Sequence, residues 1–474
     1  MVRGSSSEAF VVRKINKMSK LKKQINLYGL TMIVIGAVVG AGIFKTPSDI
    51  AGVLPNHLLI ISVWVLGGIV ALTGALTFSE LGGMFPKAGG VYVFLKEAYG
   101  DLVGFLYGWA ILLVITTGAL AALGMAFADY MTTFFVLSGL EKNILAIVLI
   151  IVLTLVNITG ANITQIFANV FTGLKLIAIG AIILVGFIFY NPEVQLDFSM
   201  QSAPVDYMTA MFAGLVGVLW SIGGWHHASY VASETIDAQK TVPRAMVIGV
   251  TIIMTIYVLI NLAIMFLLPI PEIIASDKVV GDAIASVSAI PYGGKLVAIA
   301  IAISIFGTIG IYTMTAPRIY FAMANDGVFF KQLSYVHPKY KTPVNAMLLQ
   351  MVWACVLVLF WGSFGKLINY VVFMDLAFMM LAGLSVFIFR KKRKDAHRPV
   401  KAWGYPVIPA IFVLISLLFV VSTLFGENTK EQATAGLVVL SVGLAVYYLL
   451  GFNKNTPNQE EEDGMDILEH IVEE

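Results

Sequence analysis

Twelve apolar runs, separated by short polar segments, make up most of the chain. They fall at about 27–53, 58–84, 98–132, 143–159, 164–190, 208–234, 243–269, 295–322, 345–361, 366–389, 405–425 and 433–452. Most approach or exceed the ~20 residues that an α-helix needs to cross a hydrocarbon core. Backbone groups in lipid must be bonded within the segment, so long apolar runs predict helices. A further stretch, 269–290, is amphipathic and too polar to span; it predicts short helices outside the bilayer.

Two runs are interrupted. The first contains Gly36-Ala37-Val38-Val39-Gly40-Ala41-Gly42-Ile43-Phe44, and the sixth contains Ser221-Ile222-Gly223-Gly224-Trp225. Glycine weakens a helix and exposes its backbone. Taken alone, the first cluster has two readings. Gly36-xxx-Gly40 fits a close helix crossing; equally, an unwound segment can line a cavity. The pair favours the second reading. Gly-interrupted spans at corresponding places in two halves are the pattern of a transporter with inverted repeats. The interrupted spans are five apart, and five helices per repeat invert the second copy. The expected fold is therefore an all-α polytopic membrane protein with 12 transmembrane helices. It is a 5+5 inverted repeat with broken helices 1 and 6, the LeuT-like fold. The expected divisions are a tail (1–26), repeat one (27–190), repeat two (208–390), two appended spans (402–452) and an acidic tail (453–474).

Composition narrows the class. Apolar residues are 59% and charged residues 12%, against about 25% charged in soluble domains. With the N-terminus placed in the cytoplasm, 23 Lys and Arg fall in cytoplasmic segments and five in outer loops. The positive-inside rule then puts both termini in the cytoplasm of a multi-pass plasma-membrane protein. Arg390-Lys391-Lys392-Arg393-Lys394 reads as a membrane-edge anchor, with no nucleic-acid partner implied. The single cysteine, Cys355, lies in an apolar run and implies neither a disulfide nor a thiolate metal site. The sequence shows no metal-ligand cluster, phosphate loop or nucleophile–base pair, so neither an enzyme nor a cofactor is expected.

The interruptions carry the candidate chemistry. A half-helix starting at the first break points N–H groups and its positive dipole end at a carboxylate. Ala41, Gly42 and Ile43 are assigned that role, with Gly40 beside them in the substrate site. Carbonyls at Trp220, Ser221 and Gly223 are assigned to an ammonium group. Two charges sit inside spans, where they are expensive. Lys175 lies about eleven residues into the fifth span, so it is either functional or a strained snorkelling side chain. Asp375 interrupts the tenth span, either as a working carboxylate or as a structural acid. His226 and His227 follow the second break and are read as a proton-responsive pair or as neutral core histidines. Glu80 and Arg318, at cytoplasmic span ends, are expected to pair across an inner gate or to anchor loops.

Five collinear stretches resemble the amino acid–polyamine–organocation superfamily, and within it the L-type amino acid transporter branch. Gly40-Ala41-Gly42-Ile43-Phe44 is similar to its G-[SA]-G-I-F signature. Glu80-Leu81-Gly82, Pro86 and Gly89-Gly90-Val91-Tyr92 resemble the linker between spans two and three. Gly223-Gly224-Trp225 resembles the sixth-span break. Arg318, Tyr320, Ala322, Ala324, Asp326 and Gly327 resemble the end of span eight, and Thr342-Pro343 the start of span nine. The resemblance implies sodium-independent amino acid transport by alternating access, as exchanger or proton symporter. It implies that Lys175 stands where relatives hold sodium, bridging the Gly36 carbonyl to Ser304 or Thr308. It implies that Trp220 closes over substrate. His226, Gly310-Ile311 and Asp375 depart from the branch pattern, which leaves the preferred side chain open. Heteromeric relatives attach a subunit through an outer-loop cysteine; Cys355 lies in a span, so no disulfide-linked subunit is expected. The expected partners are an amino acid, the lipid bilayer and, for a symporter, protons. Two alternatives stand beside transport of amino acids: an amine or polyamine transporter on the same fold, with Asp375 binding the cation, and a substrate sensor or membrane-embedded enzyme.

Overall fold

The computed structural model describes residues 21–200, 206–361, 364–425 and 430–454, so most of both predicted tails lies outside the described residues. The chain begins with α1 (Leu27–Val38), capped by the Asn26 side chain, which accepts the Gly29 N–H at 2.9 Å. After three non-helical residues α2 (Gly42–Val53) continues at a 42° bend. α3 (His57–Met84) starts at Asn56, whose side chain takes the Leu59 N–H. A short helix, α4 (Val91–Tyr99), leads into the long α5 (Asp101–Met131), which widens to a π-helical turn at Ile111–Ile115. There Thr117 Oγ1 donates to the Leu112 carbonyl five residues back. α6 (Gly139–Ile158) opens on a capping box between Ser138 and Glu141, and α7 (Ala161–Ile188) follows.

The second half repeats the interruption. α8 (Tyr207–Ile222) stops at Gly223, and the chain resumes helix only as the single turn α9 (His227–Tyr230). α10 (Ala238–Leu267) is followed by two short helices, α11 (Ile270–Ala275) and α12 (Val279–Ala285), within the stretch that is too polar to span. α13 (Gly293–Thr315) runs almost directly into α14 (Pro317–Asn325). α15 (Val344–Trp361), α16 (Phe364–Lys392), α17 (Val407–Phe425) and α18 (Lys430–Leu449) complete the bundle.

Among the described residues nine helices are long and apolar enough to cross a membrane, or ten if the bent α1–α2 pair is one span. Two shorter apolar helices, Val344–Phe360 and Ala433–Leu449, occupy the remaining two runs. The protein is thus an all-α, multi-pass membrane protein. Among the described residues the only β pairing is an isolated parallel bridge, Ile25 with Thr235. That bridge ties the start of α1 to the chain just after the sixth-span break: Gln24 and Ile25 N–H both donate to the Glu234 carbonyl. α1 packs against α10, α7 and α13, and α2 packs against α8, so both interruptions lie inside the helix bundle.

Candidate substrate site

The first break frees a defined set of backbone groups. In an unbroken helix the Gly40 N–H would bond to the Gly36 carbonyl. Here it turns to Val38 O at 2.8 Å. The carbonyls of Gly36 and Val39 are thereby released at membrane depth, where an orphaned acceptor is costly. Lys175 of α7 meets both, its Nζ donating to Gly36 O at 2.8 Å and Val39 O at 2.9 Å. Its third donor reaches Thr308 Oγ1 of α13 at 2.7 Å. Ser304 Oγ adds a bond to Val39 O at 3.1 Å without touching the ammonium. The Lys175 side chain is 1% exposed, so it does not snorkel.

On the other side of the break, α2 starts with N–H groups that have no intrahelical acceptor, as every helix does. Ala41 and Gly42 line a cavity of about 80 Å³, and Gly40 lines it too. One water needs roughly 10–15 Å³, so the space holds a small organic molecule or several waters. Ile43 is buried one residue beyond the lining.

The second break faces the first across this cavity. Trp220, Ser221, Gly223, His226 and Asp375 are all part of its wall. Gly42 comes so close to Ser221 that a Cβ on it would stand 2.9 Å from the Ser221 Cα. Gly224 has φ +101°, a conformation open to glycine, and a Cβ there would meet Tyr312 Oη at 2.8 Å. The Trp220 carbonyl accepts the Gly223 N–H, closing a tight turn. Tyr257 of α10 bridges the two breaks, its hydroxyl within 3.2 Å of Val38 O and 3.1 Å of Ser221 O. Ser221 Oγ lies 3.0 Å from Thr46 Oγ1 of α2, a second link between them.

The histidines divide. His227 Nδ1 is 2.6 Å from Thr315 Oγ1 and its ring stacks on Tyr312, as a core histidine does. His226 points Nε2 at Asp375 Oδ1 across 3.8 Å, and among the described residues neither atom has a hydrogen-bond partner.

One expected contact is corrected. Glu80 and Arg318 do not pair with each other. Glu80, 0% exposed, is held by Arg390 at 2.6 Å, Arg398 at 3.0 Å and the Ala402 N–H at 2.9 Å. Arg318 is bound to Glu234 at 2.7 Å and donates to the Met314 carbonyl. The reason is positional: α3 ends beside the end of α16, whereas α14 starts beside the segment that follows the sixth-span break.

Sequence reasoning missed Val39, Tyr257 and Glu234. Val39 and Tyr257 carried no signal, because a backbone acceptor and a tyrosine inside an apolar run look like their neighbours. Glu234 did carry one, as an acid at the end of the sixth apolar run.

Residues 25–449 match the family described as Amino acid permease. The chain belongs to that family. Among the permease's relatives is the serine/threonine exchanger SteT of Bacillus subtilis, 32% identical over 90% of this chain and 97% of that protein. The large neutral amino acids transporter small subunit 2 of Mus musculus is 31% identical over 90% and 81% of the two chains. The b(0,+)-type amino acid transporter 1 of Mus musculus is 28% identical over 92% and 90%. The permease is a member of the amino acid–polyamine–organocation superfamily and moves amino acids by secondary transport. Among the described residues no group of three or more His, Cys, Asp or Glu could hold a metal ion.

Proposed function

We propose that the permease is a sodium-independent amino acid exchanger of the plasma membrane, with both termini in the cytoplasm, working by alternating access on a twelve-helix 5+5 inverted repeat. The observation that carries this reading is that the start of α2 and the end of α8 border the same cavity. One end offers N–H groups and a positive dipole, the other carbonyls and a negative dipole. Such a pair recognises the carboxylate and ammonium common to all amino acids and leaves side-chain choice to the walls. Ala41, Gly42 and Ile43 bind the carboxylate; Trp220, Ser221 and Gly223 supply the ammonium acceptors, and Trp220 covers the substrate. Lys175 supports sodium independence: its ammonium already satisfies the Gly36 and Val39 carbonyls and Thr308, where a metal cation would otherwise be needed. Similarity to the serine/threonine exchanger SteT and to the b(0,+)-type amino acid transporter supports amino acids as cargo.

Counterflow into proteoliposomes tests the proposal. Vesicles preloaded with one neutral amino acid should accumulate labelled neutral amino acids equally with and without sodium. Uptake inhibited better by decarboxylated amines than by the parent amino acids would instead favour the amine-transporter reading, which rests on Asp375. A sensor would bind label and exchange none.

A further inference from the structure

Among the described residues Asp375 is the only acid that lines the cavity, and no lysine or arginine lines it. The Lys175 ammonium is spent on Gly36, Val39 and Thr308. A bound zwitterion with an uncharged side chain brings no net charge. An ionised Asp375 would then sit in an apolar wall with nothing to balance it, an arrangement proteins avoid. The one group placed to balance it is His226, whose unpartnered Nε2 faces the unpartnered Oδ1 at 3.8 Å. That separation is too long for a hydrogen bond. A neutral imidazole bearing its hydrogen on Nε2 could hydrogen-bond the carboxylate after a small side-chain rotation, but the pair would keep its negative charge; one added proton, on the carboxyl or as imidazolium, cancels that charge and keeps the bond. The proton belongs to the pair and is not assigned to either member.

We propose that the His226–Asp375 pair carries one proton with each neutral amino acid and releases it when a substrate brings a cationic side chain, so that the permease exchanges a cationic amino acid for a neutral one plus a proton. This rests on the exchanger reading above. The proton enters from water on the side where the site is open and leaves with the neutral substrate on the other. One positive charge therefore moves each way, and no charge is left buried without its partner. The other titratable groups facing the pair are Tyr107 and Tyr230, whose hydroxyls lie 2.5 Å apart, together with Tyr312 and His227. Tyrosine ordinarily stays protonated near neutral pH, and His227 is bound to Thr315.

The test uses the full-length protein in liposomes holding a pH-sensitive dye and a neutral amino acid. Labelled 2,4-diaminobutyrate, ornithine and lysine are offered outside, and neutral-for-neutral counterflow runs in parallel. The proposal expects a diamino acid to enter with alkalinisation of the lumen, one proton leaving per molecule, while neutral-for-neutral exchange leaves luminal pH unchanged. In Asp375→Asn the protons moved per amino acid should fall at least tenfold, whatever rate remains. His226→Gln should shift the pH at which diamino acid entry is half-maximal. If no diamino acid enters, or one enters with a membrane potential and no pH change, while neutral counterflow persists, this proposal fails alone. Loss of neutral counterflow in the native protein overturns the exchanger reading and this proposal together.

Discussion

Lys175 of α7 places its ammonium against two carbonyls and a hydroxyl, all within 2.9 Å. Asp375 of α16 has 18% of its side chain exposed and a buried carboxylate oxygen with no hydrogen-bond partner among the described residues. Both are charges inside apolar helices, yet one is fully coordinated and the other is left facing a cavity. A coordinated buried charge holds structure, because removing it strands its partners. An uncoordinated one contributes little to holding the fold and is free to respond to what enters the cavity. The contrast separates a tether, which joins the first break to α7 and α13, from a group that meets the substrate.

The comparison breaks most directly at the lysine. Lys175→Ala should lower stability by about 1–3 kcal/mol for each carbonyl it strands and abolish exchange; thermal unfolding in detergent and counterflow read the two effects. A variant of native stability and full transport would remove the tether. Thr308→Ala should cost about 1–3 kcal/mol, because it strands one donor of the Lys175 ammonium while Lys175 still covers both carbonyls. A loss as large as that of Lys175→Ala would mean the hydroxyl, not the ammonium, closes the break. Asp375→Asn should change stability by about 1 kcal/mol or less, since the buried Oδ1 has no hydrogen-bond partner among the described residues to strand; its effect belongs in transport. A marked destabilisation would make Asp375 a second structural acid and erase the contrast. His226→Gln should move stability least, by about 0.5 kcal/mol or less, and show itself only in the pH profile of uptake.

How far each residue was legible follows from its physics. Lys175 stood out because an ammonium in an apolar run is expensive wherever it points; its reach to Gly36 was implied by the family resemblance, and the break that frees that carbonyl is the physical reason for it. Asp375 stood out for the same reason, but its neighbour did not: nothing local says that the tenth helix lies against the turn at His226. Glu80 and Arg318 show the opposite failure. Each was visible as a charge at a span end, and pairing them with each other was wrong, because partner choice depends on which helix ends adjoin. Glu80 took two arginines from the segment around α16, and Arg318 took Glu234.

Residue order alone settled the apolar runs, the two glycine interruptions and the membrane class, because lipid solvation and helix propensity act on a segment without reference to its neighbours. Only the tertiary structure decided that both interruptions border one cavity, that Tyr257 links them, and which charge meets which. Those are contacts between positions up to several hundred residues apart. A contact of that kind exists only once helices have packed, and its energy depends on distances that no local pattern encodes.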